Sequence, residues 1–271
     1  MKPTILVLRG RPPERLDLSA LVPHRLVGQS AAAIEAIEVQ TTRHKIRVGD
    51  AFHLRLGDVE RIRIEGGCDR LDRIGEQMTG GEIVVDGDAG IVLGRRMSGG
   101  RLTVKGHVGP MAASGMSGGR IEISGNAGDR LGGPLAGETA GMRGGVVVVR
   151  GNAGEQIADR MRRGTIIVEG RAGPHAGSRM IAGTLIVRRR SGALPGYLMA
   201  RGTIILGEGA EDVSPTFADC GVHDLLALRL LSTFVAAQSR KGASCLRKRL
   251  RRLAGDMAVL GRGELFIPEQ E

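Results

Sequence analysis

A phrase that opens on methionine returns at Met78, Met97, Met116, Met142, Met161, Met180 and Met199, and five of the six steps between these starts are nineteen residues long. Self-similarity at a short fixed period marks a stack of equivalent units, and nothing else in the chain constrains its fold as strongly. Two successive copies show the phrase. Met78-Thr-Gly80-Gly81-Glu-Ile83-Val-Val85-Asp-Gly87-Asp-Ala89-Gly90 becomes Met97-Ser-Gly99-Gly100-Arg-Leu102-Thr-Val104-Lys-Gly106-His-Val108-Gly109. The third step is 26 residues, which carries Gly128 to Gly141 out of the period as the best single candidate for a contact face.

Helical repeats need longer units and fewer glycines. Here an apolar pair recurs at the fifth and seventh positions after each Met, from Ile83/Val85 to Ile204/Leu206, and this period-two alternation predicts a strand with one face buried. Glycines beyond each strand, such as Gly87 and Gly90, mark corners. A single nineteen-residue unit cannot bury its own apolar face, whereas strands stacked at ~4.8 Å share a continuous core. No Asn or Cys recurs at a fixed position as leucine-rich repeats require. The expectation is an all-β solenoid, a right-handed parallel β-helix of about seven 19-residue rungs with a helical C-terminal cap. Its divisions are an N-terminal cap and lead-in segment at 1–56, the repeat domain at 57–207, and a helical, basic capping segment at 208–271.

Composition excludes several classes of function. Cys68, Cys220 and Cys245 are too few and too scattered for a disulfide framework or an iron–sulfur site. The six histidines show no metal-ligand spacing, and no Ser, Asp or Glu can be assembled into a triad, so neither catalytic nor metal residues are assigned. The longest apolar run, Leu225 to Ala237, contains Arg229 and is too short to span a membrane, and Ile5 to Leu8 is too short for a signal-peptide core. These features predict a cytoplasmic chain with no membrane partner. A formal net charge of +10 points to an anionic ligand or partner, yet five aromatics and no Trp leave no stacking platform for nucleic acid, which is not expected as a partner.

Arginine placement carries the binding hypothesis. Arg96, Arg160 and Arg179 each immediately precede a repeat Met, with Arg143, Arg162, Arg163 and Arg201 just beyond the turn. Stacked at ~4.8 Å, such like charges favour an anion between them. These seven form a candidate track for a polyanionic ligand, with a solvated basic face as the alternative.

The residues between the inward pairs change from Val84, Thr103 and Glu122 to Val148, Ile167, Ile186 and Ile205, so the last four need a cover. Val222 to Ala237 reads as a helix with two apolar faces, one able to dock on that column. Arg240 to Arg252 contains seven basic residues, with Leu246, Leu250 and Leu253 at helical spacing, and reads as a basic amphipathic helix or a capping helix.

The run of Met-x-Gly-Gly units with Gly-x-Ala-Gly corners, as in Met116-Ser-Gly118-Gly119 and Gly125-Asn-Ala127-Gly128, resembles the repeat domain shared by the C-terminal part of glutamate synthase and the C subunit of formylmethanofuran dehydrogenase. Ile37-Glu-Val39 followed by Lys45-Ile-Arg-Val48-Gly49-Asp50-Ala-Phe52 looks like the lead-in segment of the second family. The resemblance covers roughly residues 30–210, and the excess of Arg over Lys favours its bacterial branch, the C subunit of formyltransferase/hydrolase complexes.

The resemblance implies a non-catalytic scaffold in a cytoplasmic hetero-oligomer with a formyltransferase subunit, an amidohydrolase-like subunit and a further subunit. That assembly passes formyl from formyl-tetrahydromethanopterin to a methanofuran-type carrier and releases formate. No cofactor is expected to be covalently bound. The carrier's polyglutamyl tail is the ligand expected for the arginine track. The alternatives are the C subunit of a molybdenum or tungsten formylmethanofuran dehydrogenase, a glutamate-synthase-like coupling domain, and an independent polyanion-binding rod. Arg189 in place of a corner glycine, and a last rung that stops at Gly207, depart from the family pattern.

Overall fold

The computed structural model describes residues 2–247 and 249–269. In chain order the strands are β1 (Pro3–Leu8), β2 (Leu16–Asp17), β3 (Glu38–Gln40), β4 (Lys45–Arg47), β5 (Phe52–Arg55), β6 (Asp58–Gly67), β7 (Leu71–Asp72), β8 (Glu82–Gly87), β9 (Arg101–Val104) and β10 (Arg120–Ile123). They continue with β11 (Arg143–Val149), β12 (Arg163–Val168), β13 (Thr184–Val187), β14 (Arg201–Leu206), β15 (Ala218–Val222), β16 (Leu250–Gly255) and β17 (Arg262–Pro268). Helices α1 (Pro23–Leu26), α2 (Ala31–Glu35) and α3 (Val48–Ala51) are short, and α4 (Leu226–Gln238) has thirteen residues.

Among the described residues thirteen strands form one mixed sheet in the order β15-β16-β17-β14-β13-β12-β11-β10-β9-β8-β6-β1-β5. From β8 to β14 each strand pairs in parallel with the next, and Ile83, Leu102, Ile121, Val147, Ile166, Leu185 and Ile204 stand in one register line. Those seven and their partners two residues on are completely buried, as the alternation requires. The longer step leaves this register intact, because Gly128 to Gly141 loops out and Ile121 still faces Val147. A second line of parallel bridges links the corners from Ala89 through Val108, Ala127, Ala153, Ala172 and Ser191 to Ala210.

This topology corrects the expected all-β solenoid, a right-handed parallel β-helix with a helical cap. The sheet is mixed: β1 pairs antiparallel with β5 at one end, and β17, β16 and β15 pair antiparallel at the other. The C-terminal segment is no purely helical cap, since it carries three strands, β15, β16 and β17, beside α4 and a short 3-10 turn at Gly242–Arg247. A parallel ladder that simply stopped would expose a row of unpaired N–H and C=O groups, and the antiparallel returns satisfy them. The basic helix expected from Arg240 to Arg252 is likewise replaced by that turn and by β16; Lys248 lies outside the described residues.

Nor does the parallel ladder end at Gly207. β17 pairs in parallel with β14, with Arg201 opposite Arg262, Gly202 opposite Gly263 and Ile204 opposite Leu265. Arg262-Gly-Glu-Leu-Phe therefore takes the place of the next copy, and residues 208–261 are an excursion between two neighbouring strands.

Packing explains the Met-x-Gly-Gly phrase. All seven methionines are fully buried. A Cβ on Gly100, whose φ is +85°, would lie 2.6 Å from the Met78 methyl and 2.6 Å from the Gly81 carbonyl oxygen. Only glycine accepts both the left-handed backbone and the thioether arriving from the preceding unit. Met199 meets Gly263 in the same way, at 2.7 Å from the position of an added Cβ.

The corners are stacked by polar side chains. Asp88 accepts from the His107 N–H (2.7 Å), His107 Nδ1 from Asn126 (2.9 Å), Asn126 from Asn152 (2.8 Å) and Asn152 from Arg171 (2.8 Å). Each of these side chains thus satisfies a backbone donor of the next copy.

Val148, Ile167, Ile186 and Ile205 are fully buried beneath a lid made of α4, the 3-10 turn, Leu250 and Phe266. The helix supplies Leu228 and Val235 to this contact. It begins at Leu226 rather than Val222, because Val222 belongs to β15, paired with β16. Ser239 Oγ donates to the buried Glu169 carboxylate (2.6 Å) and accepts from the Gly242 N–H (2.8 Å). Arg120 also bonds the Gln238 side chain and its carbonyl, so the C-terminal end of the helix is clamped to the sheet. No helix among the described residues is long and apolar enough to cross a membrane.

Candidate anion-binding face

The seven arginines divide into two groups on either side of the methionine column. Arg96, Arg160 and Arg179 occupy the turn residue before Met, with φ of 51°, 49° and 52°. Their N–H groups donate to Ser114, Ser178 and Tyr197 carbonyls of the following copy at 2.9, 3.0 and 2.7 Å. Their side chains are engaged within the protein. Arg179 grips the fully buried Asp159 with two bonds, at 2.9 and 2.8 Å. Arg96 pairs with Glu138 at 2.9 Å, and Arg160 donates to the Glu138 carbonyl at 3.4 Å.

Glu138 belongs to the segment of the longer step, which folds back across the turns. Its carboxylate also binds Arg95 (2.9 Å), and Arg95 in turn binds Glu76 (3.1 Å). Burial alone would raise the Glu138 pKa, but the Arg95 hydrogen bond, the Leu135 N–H and Arg96 together hold it below the usual glutamate range. The looped segment is thus latched by a carboxylate that stays ionised.

Arg143, Arg162, Arg163 and Arg201 differ from these. All four are exposed, and none has an acidic partner among the described residues. They lie at the N-terminal ends of β11, β12 and β14, with Arg143 opposite Arg163. Arg262 extends the line one strand further, opposite Arg201, and it too is exposed and has no acidic partner among the described residues. Parallel spacing puts Arg201 and Arg262 ~5 Å apart and Arg163 and Arg201 ~10 Å apart at the backbone. Five unneutralised guanidiniums along one edge can grip successive carboxylates in bidentate pairs.

Sequence reasoning missed Arg262, although Arg163-Gly-Thr-Ile, Arg201-Gly-Thr-Ile and Arg262-Gly-Glu-Leu share one pattern. The sixty-one-residue gap from Arg201 hid it from a search at a fixed period. The two groups meet at a groove of about 430 Å³ lined by Arg96, Ser117, Glu138, Thr139 and Arg143. That groove marks the end of the line, where the looped segment rises.

No protein-family profile matches the chain. It is 52% identical over 263 residues to the C subunit of the formyltransferase/hydrolase complex Fhc of Methylorubrum extorquens, covering 97% of this chain and 98% of that protein. It is 34% identical over 95 residues to the C subunit of a tungsten-containing formylmethanofuran dehydrogenase 2 of Methanococcus maripaludis, covering 34% of this chain and 35% of the relative. Among solved structures it resembles a chain of the formyltransferase/hydrolase complex FhcABCD from Methylorubrum extorquens, crystallised in complex with methylofuran. That match has a TM-score of 0.93 and 44% identity, and it covers 98% of this chain and 100% of the other.

Proposed function

This chain belongs to the family formed by the C subunits of formyltransferase/hydrolase complexes, and from that membership we propose that it is the non-catalytic C subunit of such a complex. The complex passes formyl from formyl-tetrahydromethanopterin to a methanofuran-type carrier and hydrolyses it to formate in the cytoplasm. Likeness along nearly the whole chain to one component of the FhcABCD assembly is the observation that carries the reading. The dehydrogenase alternative is weaker, since likeness to those subunits extends over about a third of the chain. Co-expression of the tagged full chain with the other three subunits of its own complex tests the proposal. A stable assembly with formyl-transferring activity supports it, and a chain that purifies alone overturns it.

The arginine line gives the subunit a second task within the complex, that of holding the carrier's anionic tail. Support comes from the five exposed guanidiniums, which have no acidic partners among the described residues, and from their register. Arg163→Glu with Arg201→Glu is expected to weaken retention of the carrier while the subunits stay assembled. Retention equal to the wild type refutes the tail-holding role. Arg160 and Arg179 suit this test less well, because their side chains serve the fold.

A further inference from the structure

The lid helix is apolar on both sides. Leu228 and Val235 face the sheet, while Leu226, Leu230 and Phe234 point the other way and are 69%, 65% and 43% exposed. These three follow one another at i, i+4 and i+8, a stripe ~12 Å long at 1.5 Å per residue. Between Arg229 and Arg240 the helix carries no charge, and Arg229 is tied to Asp224. A monomer has no use for such a face on a helix already anchored at its C-terminal end through Arg120–Gln238 and Glu169–Ser239.

The charges beside the stripe restrict what can cover it. Arg251 and Arg252 are neutralised by Asp219 and Glu264, and Arg249 pairs with Glu269. Arg240 and Lys241, just beyond the helix C-terminal end, are exposed and have no acidic partner among the described residues; the same holds for Arg247, which lies beside Leu225, Leu228 and Ser232 nearer the N-terminal end. The surface is therefore an apolar ridge with Arg240 and Lys241 uncompensated at the helix C-terminal end. A second copy across a two-fold axis would present the same cations and no compensating acids. A helix lying on a membrane carries cations along its polar flanks, whereas the one arginine within this helix is already paired.

We infer that the Leu226–Leu230–Phe234 face is the docking surface for another protein subunit, one that offers an apolar groove with carboxylates at the end facing Arg240 and Lys241. This rests on the reading of the chain as a subunit of a hetero-complex. It adds which surface makes the contact and what chemistry the partner presents. The helix is preformed and clamped, so docking does not have to order it.

The test is co-expression of the full chain, carrying Leu230→Asp with Phe234→Asp, alongside the other three subunits, with assemblies counted by native mass spectrometry. Expected is a loss of one identified subunit by tenfold or more, with the thermal midpoint of the isolated variant unchanged. Leu230→Ser with Phe234→Ser serves if the aspartates unfold the chain, and the same loss is expected. Reversing Arg240 and Lys241 to Glu should lower recovery of that same subunit and change its salt dependence. A wild type that recovers no subunit overturns the complex reading itself. A wild type that recovers all three, with variants that match it, overturns the docking face alone. Two further results overturn it as well: binding to phosphatidylserine vesicles that the variants abolish while the complex stays intact, or a chain homodimer that they convert to monomer.

Discussion

Replacing Arg179 by Met should destabilise the protein far more than loss of an ordinary surface arginine. Arg179 is half-exposed, but its partner Asp159 has no accessible side-chain surface and receives both guanidinium bonds, at 2.9 and 2.8 Å. Coulomb attraction on the exposed side is screened and contributes little. The cost comes from Asp159, which the substitution leaves as a buried, unpaired carboxylate, and such losses run to about 3–5 kcal/mol. For a chain of this size 1 kcal/mol moves the melting temperature by roughly 2–4 °C, so a fall of roughly 6–20 °C is expected. Asp159→Asn with Arg179→Met removes the stranded charge and leaves an imperfectly bonded amide, which costs about 1–3 kcal/mol. The double variant should therefore be more stable than Arg179→Met alone. Urea and thermal unfolding of the wild type, both single variants and the double variant provide the cycle. If Arg179→Met lies within about 1 kcal/mol of the wild type, or if the double variant loses the sum of the single losses, the buried-carboxylate argument is wrong.

Three further outcomes follow from the packing. Gly99→Ala should cost about 1–3 kcal/mol by unfolding, because its Cβ would lie 2.2 Å from the Thr79 carbonyl oxygen, whereas Gly80→Ala, at the same place in the phrase with nothing within 4 Å, should cost little. Asn152→Ala interrupts the corner ladder between Asn126 and Arg171 and should cost about 1 kcal/mol, leaving the Arg171 N–H without its acceptor; hydrogen exchange at that amide checks it. The Glu138 pKa is depressed in the folded protein, so its stabilisation is full above the unfolded glutamate pKa and is lost as pH falls through the lower folded value. Protease nicking of residues 128–141 should rise over that acidic window, and Glu138→Gln should show the rise already at neutral pH.

Much of the architecture was legible because it is written in local spacings. Alternating pairs such as Ile83/Val85 and Ile166/Val168 announce strands, and their constant offset from Met announces the register. The second glycine of Met-x-Gly-Gly is visible in the sequence only as a recurrence. Its reason, the methyl of the methionine one copy earlier, appears only once copies are stacked. The candidate site was half legible. All seven arginines were visible as a pattern, but Asp159 and Glu138 decide which of them are engaged; Asp159 stands beside Arg160 in the sequence yet pairs with Arg179, and Glu138 reaches Arg96 across more than forty residues. Arg262 was missed because the chain leaves the ladder for an excursion and returns out of period. Leu246, Leu250 and Leu253 have helical spacing, yet two of them lie in β16, since the hydrogen-bonding demand of β17 outweighs a three-residue pattern.

By itself the sequence determined the parallel ladder from β8 to β14, its register and the corner positions. These follow from side-chain periodicity and steric tolerance, which act over a few residues. Tertiary structure alone decided the mixed sheet with its antiparallel ends, the further parallel strand at Arg262, and the division of the arginines into engaged and free. Each of those depends on which backbone edges and which buried carboxylates meet across gaps of up to about sixty residues, and pairing of that kind is set by the unsatisfied groups left when the local units come together.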